Sequence, residues 1–232
     1  MASQACSSGI GAYLCSSIGK KQLMGVTAFL LIGFLKAHLL GNFLILVGKD
    51  AFNAYGHKLV SLGPLLIAAE IILLIIFLTH LGLAIALVWQ NRAARPVKYY
   101  SKKRTGRGAT FASDTMPFTG VIILIFICLH LWCFKYGTYY EYQLNGETVR
   151  DLYKTVIEYF SNPLYTAWYV VAMIAMGIHL SHGIQSAFQS VGFRHARYTP
   201  WIKKLGCALS AFLTIGFSGL SIYGYYISTT LN

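Results

Sequence analysis

Charge is what this sequence has least of. Only 11% of its 232 residues are Asp, Glu, Lys or Arg, where a soluble domain carries about 25%, so the chain cannot cover a water-facing surface of ordinary polarity. Acidic residues are the scarcer sign, seven against 19 Lys and Arg. The resulting net charge of +12 does not point to nucleic acid, which needs a basic face on a soluble fold; here the basic residues sit in short connectors between apolar runs. Proline is sparse too, and two of the five, Pro64 and Pro163, open apolar runs, where the missing N–H would be unpaired in a helix anyway. The five cysteines, Cys6, Cys15, Cys128, Cys133 and Cys207, form no CxxC or CxxCH pattern. That excludes a zinc knuckle and covalent haem attachment by motif, and their odd number and scatter argue against a disulfide framework.

What is present is apolar length. Hydrophobic residues make up 56% of the chain and the mean hydropathy is +0.57. A membrane span needs about 20 largely apolar residues, and five segments supply that, at 22–47, 64–89, 116–136, 163–190 and 205–227. The first 21 residues lack a basic n-region and a long apolar core, so they are expected to form a short N-terminal segment rather than a cleaved signal. Neither a sixth span nor an internal repeat is found. The connectors are asymmetric: "NRAARPVKYYSKKRTGR", "GFRHARYTPWIKK" and "GKK" carry thirteen Lys and Arg between them, the two other loops five. Positive residues favour the cytoplasmic side, which predicts a multi-pass protein with a cytoplasmic N-terminus and an external C-terminus. The stretch "EYQLNGETVRDLYKTVIEYF" is then an outside loop with an amphipathic surface helix.

Five of the seven histidines, His38, His80, His130, His179 and His182, fall within spans. Ionisable groups inside a membrane are rare and mark function by default, although a single one is more often a satisfied helix contact. Four of the five spans carry one; the fifth carries neither histidine nor charge in its apolar stretch "LGCALSAFLTIGFSGLSIYGYYI". At about 1.5 Å per residue, His38 and His130 lie about 24 and 21 Å from the cytoplasmic starts of their spans. His80 and His179 lie about 24 Å inward from their outer prolines. The result is two layers, His38 with His130 outside and His80 with His179 inside. Two imidazoles at one depth suit the two axial faces of a haem iron, and closed bis-histidine ligation suits electron transfer. Zinc fits less well, since its sites need three or four converging ligands. Gly33, Gly41, Gly82, Gly177 and Gly183, near the histidines, would let a flat macrocycle approach, although membrane helices also use glycine for packing.

The strings "SSIGKKQLMGVTAFLLIGFLKAHLLGN", "DAFNAYGHKLVSLGPLL", "QNRAARPVKY" and "FSNPLYTAWYVVAMIAMGIHLSHGIQSAFQSVGFRHARYTPWIK" resemble the dihaem cytochrome b membrane anchor of succinate dehydrogenases and quinol:fumarate reductases, in its single-anchor, five-helix form. The resemblance covers nearly the whole chain. It implies an all-α membrane protein, one transmembrane cytochrome b domain over 1–232, with the first four of five helices bundled around two b haems. It implies axial ligands His38, His80, His130 and His179, the same pairs, and an inner membrane location in a bacterium. It also implies a flavoprotein subunit and an iron–sulfur subunit as partners, lipid around the chain, no nucleic acid, and menaquinone or ubiquinone as substrate. Some family members carry a glutamate two residues before the fourth ligand; here that position is Gly177.

Residues for the quinone are less distinct. Glu70 lies six residues into the second span, and Asn42, Asn53, Tyr55 and His57 cluster at the same outer end. Glu70, Asn42 and His57 are quinone-site candidates, with helix capping, loop packing or a bond to a neighbouring helix as the structural alternative. Lys36 is expected to snorkel to the outer interface. Lys20, Lys21, Arg92, Arg95, Arg194, Lys203 and Lys204 are expected to set topology, some of them meeting haem propionates or the iron–sulfur subunit. His182, one turn beyond His179 on the same side, is either a hydrogen-bond donor near a propionate or a packing residue. Two other functions stay open on the residues alone: a dihaem cytochrome b of a hydrogenase or formate dehydrogenase, and a proton-coupled transporter using its histidines as a relay.

Overall fold

The computed structural model describes residues 9–94 and 111–230. Cys6, Arg95 and most of the long basic connector lie outside the described residues. Five helices are long and apolar enough to cross a membrane, and they are joined by short elements gathered at one end. A short helix α1 (Gly9–Cys15) leads into α2 (Ser17–Asn42). The first span starts earlier than its apolar run because the Ser16 side chain accepts the Gly19 N–H at 3.0 Å, pairing one of the free amides that every helix start leaves. A 3-10 turn (Phe43–Leu46) and Gly48, whose φ of 136° few other residues adopt, then turn the chain into α3 (Lys49–Val60). Helix α4 (Pro64–Ala93) opens on its proline; α5 (Phe111–His130) ends in a π-helical turn, Leu131–Lys135, closed by Tyr136 N–H on Leu131 O at 3.1 Å.

The loop expected to hold only a surface helix is half strand. Strands β1 (Glu141–Leu144) and β2 (Glu147–Arg150) pair antiparallel with Leu144 opposite Glu147. The two-residue turn between them has positive φ at Asn145 and Gly146, the backbone that Asn-Gly favours in a tight hairpin. The amphipathic helix follows as α6 (Leu152–Phe160), and α7 (Pro163–Ser190) and α8 (Thr199–Thr230) complete the chain. Among the described residues Cys15 is disulfide-bonded, and Cys128, Cys133 and Cys207 are free.

Helix α7 is the centre of the packing. It contacts α2, α5 and α8 and holds Ala172, Met173, Met176, Leu180 and Ile184 in the core. Helix α8 packs on α7 and, more lightly, on α2, and α4, α2, α7 and α5 form an open four-helix arc in that order. Helix α4, with a mean hydropathy of 2.9 over its most apolar stretch, has no buried residue and packs appreciably on α2 alone among the described residues. An ion pair between Glu70 of α4 and Lys135 at the end of α5 ties the two ends of the arc together.

The loop elements cap the bundle at this end around Asp151. Its carboxylate accepts from Asn53 Nδ2 at 2.9 Å and from the Lys154 N–H at 3.0 Å, and pairs with Lys49 Nζ at 2.8 Å. Asn53, fully buried, returns a bond by accepting the Tyr153 N–H at 3.0 Å. Burial pushes the Asp151 carboxyl up, but Lys49, Asn53 and the Lys154 amide outweigh it and hold it below the usual range. Arg150 adds a second clamp, its guanidinium donating to Phe134 O at 3.0 Å and Lys135 O at 3.2 Å, where the π turn leaves carbonyls free. Asp151→Ala removes a helix cap and strands the Asn53 amide, a loss of about 2–4 kcal/mol; thermal unfolding in detergent should show a clearly lower Tm. Because the folded carboxyl is depressed, its stabilisation is complete above about pH 4 and fades as pH falls further, so the gap between wild type and D151A should narrow in acid.

Candidate functional site

Four histidines enter the bundle from four helices: His38 from α2, His80 from α4, His130 from α5 and His179 from α7. All are part-buried. Neighbours in the arc are α4 with α2, α2 with α7, and α7 with α5, so His38/His130 and His80/His179 each come from helices that are not neighbours. The His38 and His130 rings have centroids 5.8 Å apart and stand nearly perpendicular, at 89°. An imidazole nitrogen binds a metal at about 2 Å, so two rings on opposite faces of one metal atom have centroids about 6 Å apart. The observed spacing fits one shared metal atom. His80 and His179 come from α4 and α7, and His182 lies one turn beyond His179 on α7.

Hydroxyl groups hold three of the four rings. Thr27 Oγ1 of α2 lies 3.1 Å from His80 Nδ1, and Thr119 Oγ1 of α5 lies 3.1 Å from His179 Nδ1. Tyr169 Oη of α7 lies 3.2 Å from His130 Nδ1. The contact on Nδ1 in all three leaves Nε2 as the nitrogen free to bind a metal. His38 is held differently: Phe34, one turn earlier on α2, stacks on it at 5.3 Å and 16°, and Phe217 of α8 sits at 5.8 Å. His130 is ringed by Phe126 and Phe134 at 5.5 and 5.1 Å. These contacts also separate the histidines along the bundle. Thr27 and Thr119 each lie eleven residues before the histidine of their own helix, about 16 Å along it, so His80 and His179 share a layer well below His38 and His130.

Fit to a flat macrocycle is best judged at the glycines. An added Cβ at Gly183 would meet nothing within 4 Å, and Gly183, one turn past His179, shares its face. Gly33 and Gly82 are equally open but turn about 140° and 160° from their histidines. Gly41 and Gly177 belong to protein packing, against Tyr55 and Thr214. With Thr214 of α8 seated on it, Gly177 leaves no room for the glutamate some family members carry there. Donor type, ring spacing, free Nε2 atoms and the open flank at Gly183 together suit a bis-histidine haem.

The quinone-site candidates do not converge. Glu70 pairs with Lys135, and His57 Nε2 lies 3.4 Å from Glu147 Oε2 on the exposed hairpin. Asn42 alone adjoins the histidines: its Nδ2 donates to His38 O at 2.7 Å, and with His38, Tyr169 and Phe217 it borders a cavity of about 30 Å³. Lys36 is exposed on α2, as are Lys21, Arg92, Arg194, Lys203 and Lys204 on their elements; Lys20 is half-buried. Thr27, Thr119 and Tyr169 were not singled out by the sequence, although one signal was available. The spacing Thr27 to His38 recurs as Thr119 to His130, and eleven residues bring a helix back to within about 20° of the same face.

Residues 91–217 match the model of the succinate dehydrogenase/fumarate reductase transmembrane subunit family. The succinate dehydrogenase cytochrome b558 subunit of Bacillus subtilis (strain 168) is 27% identical over 192 residues, 81% of this chain and 85% of that protein. No solved structure matches. Five apolar helices, four of them presenting an imidazole to the bundle, agree with that match over more than half of the chain: the protein belongs to the succinate dehydrogenase/fumarate reductase transmembrane subunit family and is a cytochrome b membrane anchor.

Proposed function

We propose that this chain carries electrons between the iron–sulfur subunit of a succinate:quinone oxidoreductase and membrane quinone, through two b haems held by His38/His130 and His80/His179. The observation that carries the proposal is the 5.8 Å, near-perpendicular approach of His38 and His130, two imidazoles from non-neighbouring helices spaced for one metal atom. When bound, the haems supply one-electron carriers at two depths. The protein's part would be to supply His38, His130, His80 and His179 as ligands, a closed bis-histidine set that suits electron transfer, and to bury the rings in apolar helices. A flavoprotein subunit handles the dicarboxylate.

Orientation follows from charge. With thirteen basic residues in the connectors at one end against five at the other, the His80/His179 layer lies toward the cytoplasm of a bacterial inner membrane and meets the iron–sulfur subunit. The His38/His130 layer extends the path to the outer half, beneath the cap built on Asp151. Asn42 is the quinone-site candidate that this arrangement favours, because it borders the outer histidines. Glu70 is held by Lys135 and His57 faces Glu147, so each acts through its partner. His182, half-buried one turn beyond His179, would donate to a propionate of the inner haem or serve as a packing residue.

Reduced-minus-oxidised spectra of the purified complex should show two b-type haems per chain, and the complex should reduce quinone with succinate. Folded complex without haem would refute the proposal; haem without succinate:quinone activity would favour the hydrogenase or formate dehydrogenase assignment. His80→Ala should remove the inner haem and spare the outer one, leaving one haem per chain by pyridine haemochrome. His182→Ala should keep both haems, since it supplies no axial nitrogen.

A further inference from the structure

We propose that Thr27 and Thr119 are positioning residues for the inner haem, each acting as the hydrogen-bond acceptor that sets the tautomer and ring angle of an axial histidine on the neighbouring helix. The inference rests on the bis-histidine reading of His80 and His179. Its ground is where the hydroxyl protons go. Thr27 Oγ1 lies 3.0 Å from both Leu23 O and Met24 O of its own helix, and Thr119 Oγ1 lies 3.1 Å from both Thr115 O and Met116 O. A threonine has one hydroxyl proton, and a buried helical threonine gives it to the carbonyl a turn earlier. Toward His80 and His179 the two oxygens therefore accept, and the ring nitrogens at 3.1 Å donate. Each inner ligand is thus held as the Nδ1–H tautomer with Nε2 directed away from the threonine.

Both threonines are buried, at 4% and 5% exposure, so the hydroxyls have no water to exchange with. The arrangement is repeated across the bundle. Helix α2 carries the outer ligand His38 and braces His80 of α4; helix α5 carries the outer ligand His130 and braces His179 of α7. Every helix that holds the outer haem thereby orients one ligand of the inner haem, three turns away. An acceptor on Nδ1–H makes the imidazole a stronger donor to iron and favours the ferric state.

The test uses the assembled complex with Thr27→Val, Thr119→Val and the matching serine variants, reading haem content and the midpoint potential of each haem by redox titration. Valine keeps the volume and removes the acceptor. The inner haem should become easier to reduce or be held about 10–100-fold more weakly, the outer haem should stay at its wild-type potential, and serine should restore wild-type behaviour. Unchanged inner potential and content in both valine variants would overturn the inference while leaving the two-haem reading intact. Serine variants that behave like valine would also overturn it, since the methyl group rather than the hydroxyl would then be responsible. Wild-type complex lacking the inner haem would overturn the functional reading itself, and this inference with it.

Discussion

An imidazole N–H among apolar helices needs an acceptor, and a threonine that has given its proton to its own backbone can only be one. That pairing, made twice, is the constraint on which the bundle depends. Helix α4 shows why. It is so uniformly apolar that no face of it is preferred for burial, and none of its residues is buried. Hydrophobic patterning therefore cannot set its rotation about its own axis. The His80 to Thr27 bond at mid-helix and the Glu70 to Lys135 pair near the start of α4 do so, because a polar tie has a direction and a hydrophobic contact has not.

Packing and polar ties divide the work between the helices. Helix α7, with small and flexible side chains Ala172, Met173 and Met176 facing its neighbours, is held by close contact with α2, α5 and α8. Gly177 lets α8 approach closely through Thr214. Helix α4, at one end of the arc, has no buried residue and is placed by side-chain bonds; α5, at the other end, packs along α7 and is tied to it by Thr119 and His179. His38 and His130 meet across the non-neighbouring helices α2 and α5, so helix placement and ring spacing are two aspects of one geometry. At the capped end the same logic recurs in water-facing form, with Asp151 gathering Lys49, Asn53 and the first turn of α6.

Much of this was legible in the residues. Five apolar runs of sufficient length, a strong basic asymmetry and at least one histidine in each of four runs are properties of composition and count, and the depths of the histidines follow from a fixed rise per residue. Other features were visible but weaker. Asn145-Gly146 is a hairpin turn signal inside a stretch whose later half is amphipathic, and the helix pattern masked it. The segment that became α3 holds only twelve residues and lies between a span and a proline, where a loop is the simpler expectation. The repeated eleven-residue spacing from threonine to histidine was present, but threonine is ordinary in a membrane helix and nothing local marks it as a partner of another helix.

The sequence by itself determined that the chain spans a membrane five times, which ends are basic, and which imidazoles share a depth, because hydropathy, charge and rise per residue are additive along the chain. Only the tertiary structure decided which helices are neighbours, that Glu70 is paired with Lys135, that Gly177 is closed by Thr214, and that Thr27 and Thr119 face His80 and His179. Those outcomes depend on rotation about each helix axis and on contacts between residues up to about sixty positions apart, and no periodicity within one helix contains that information.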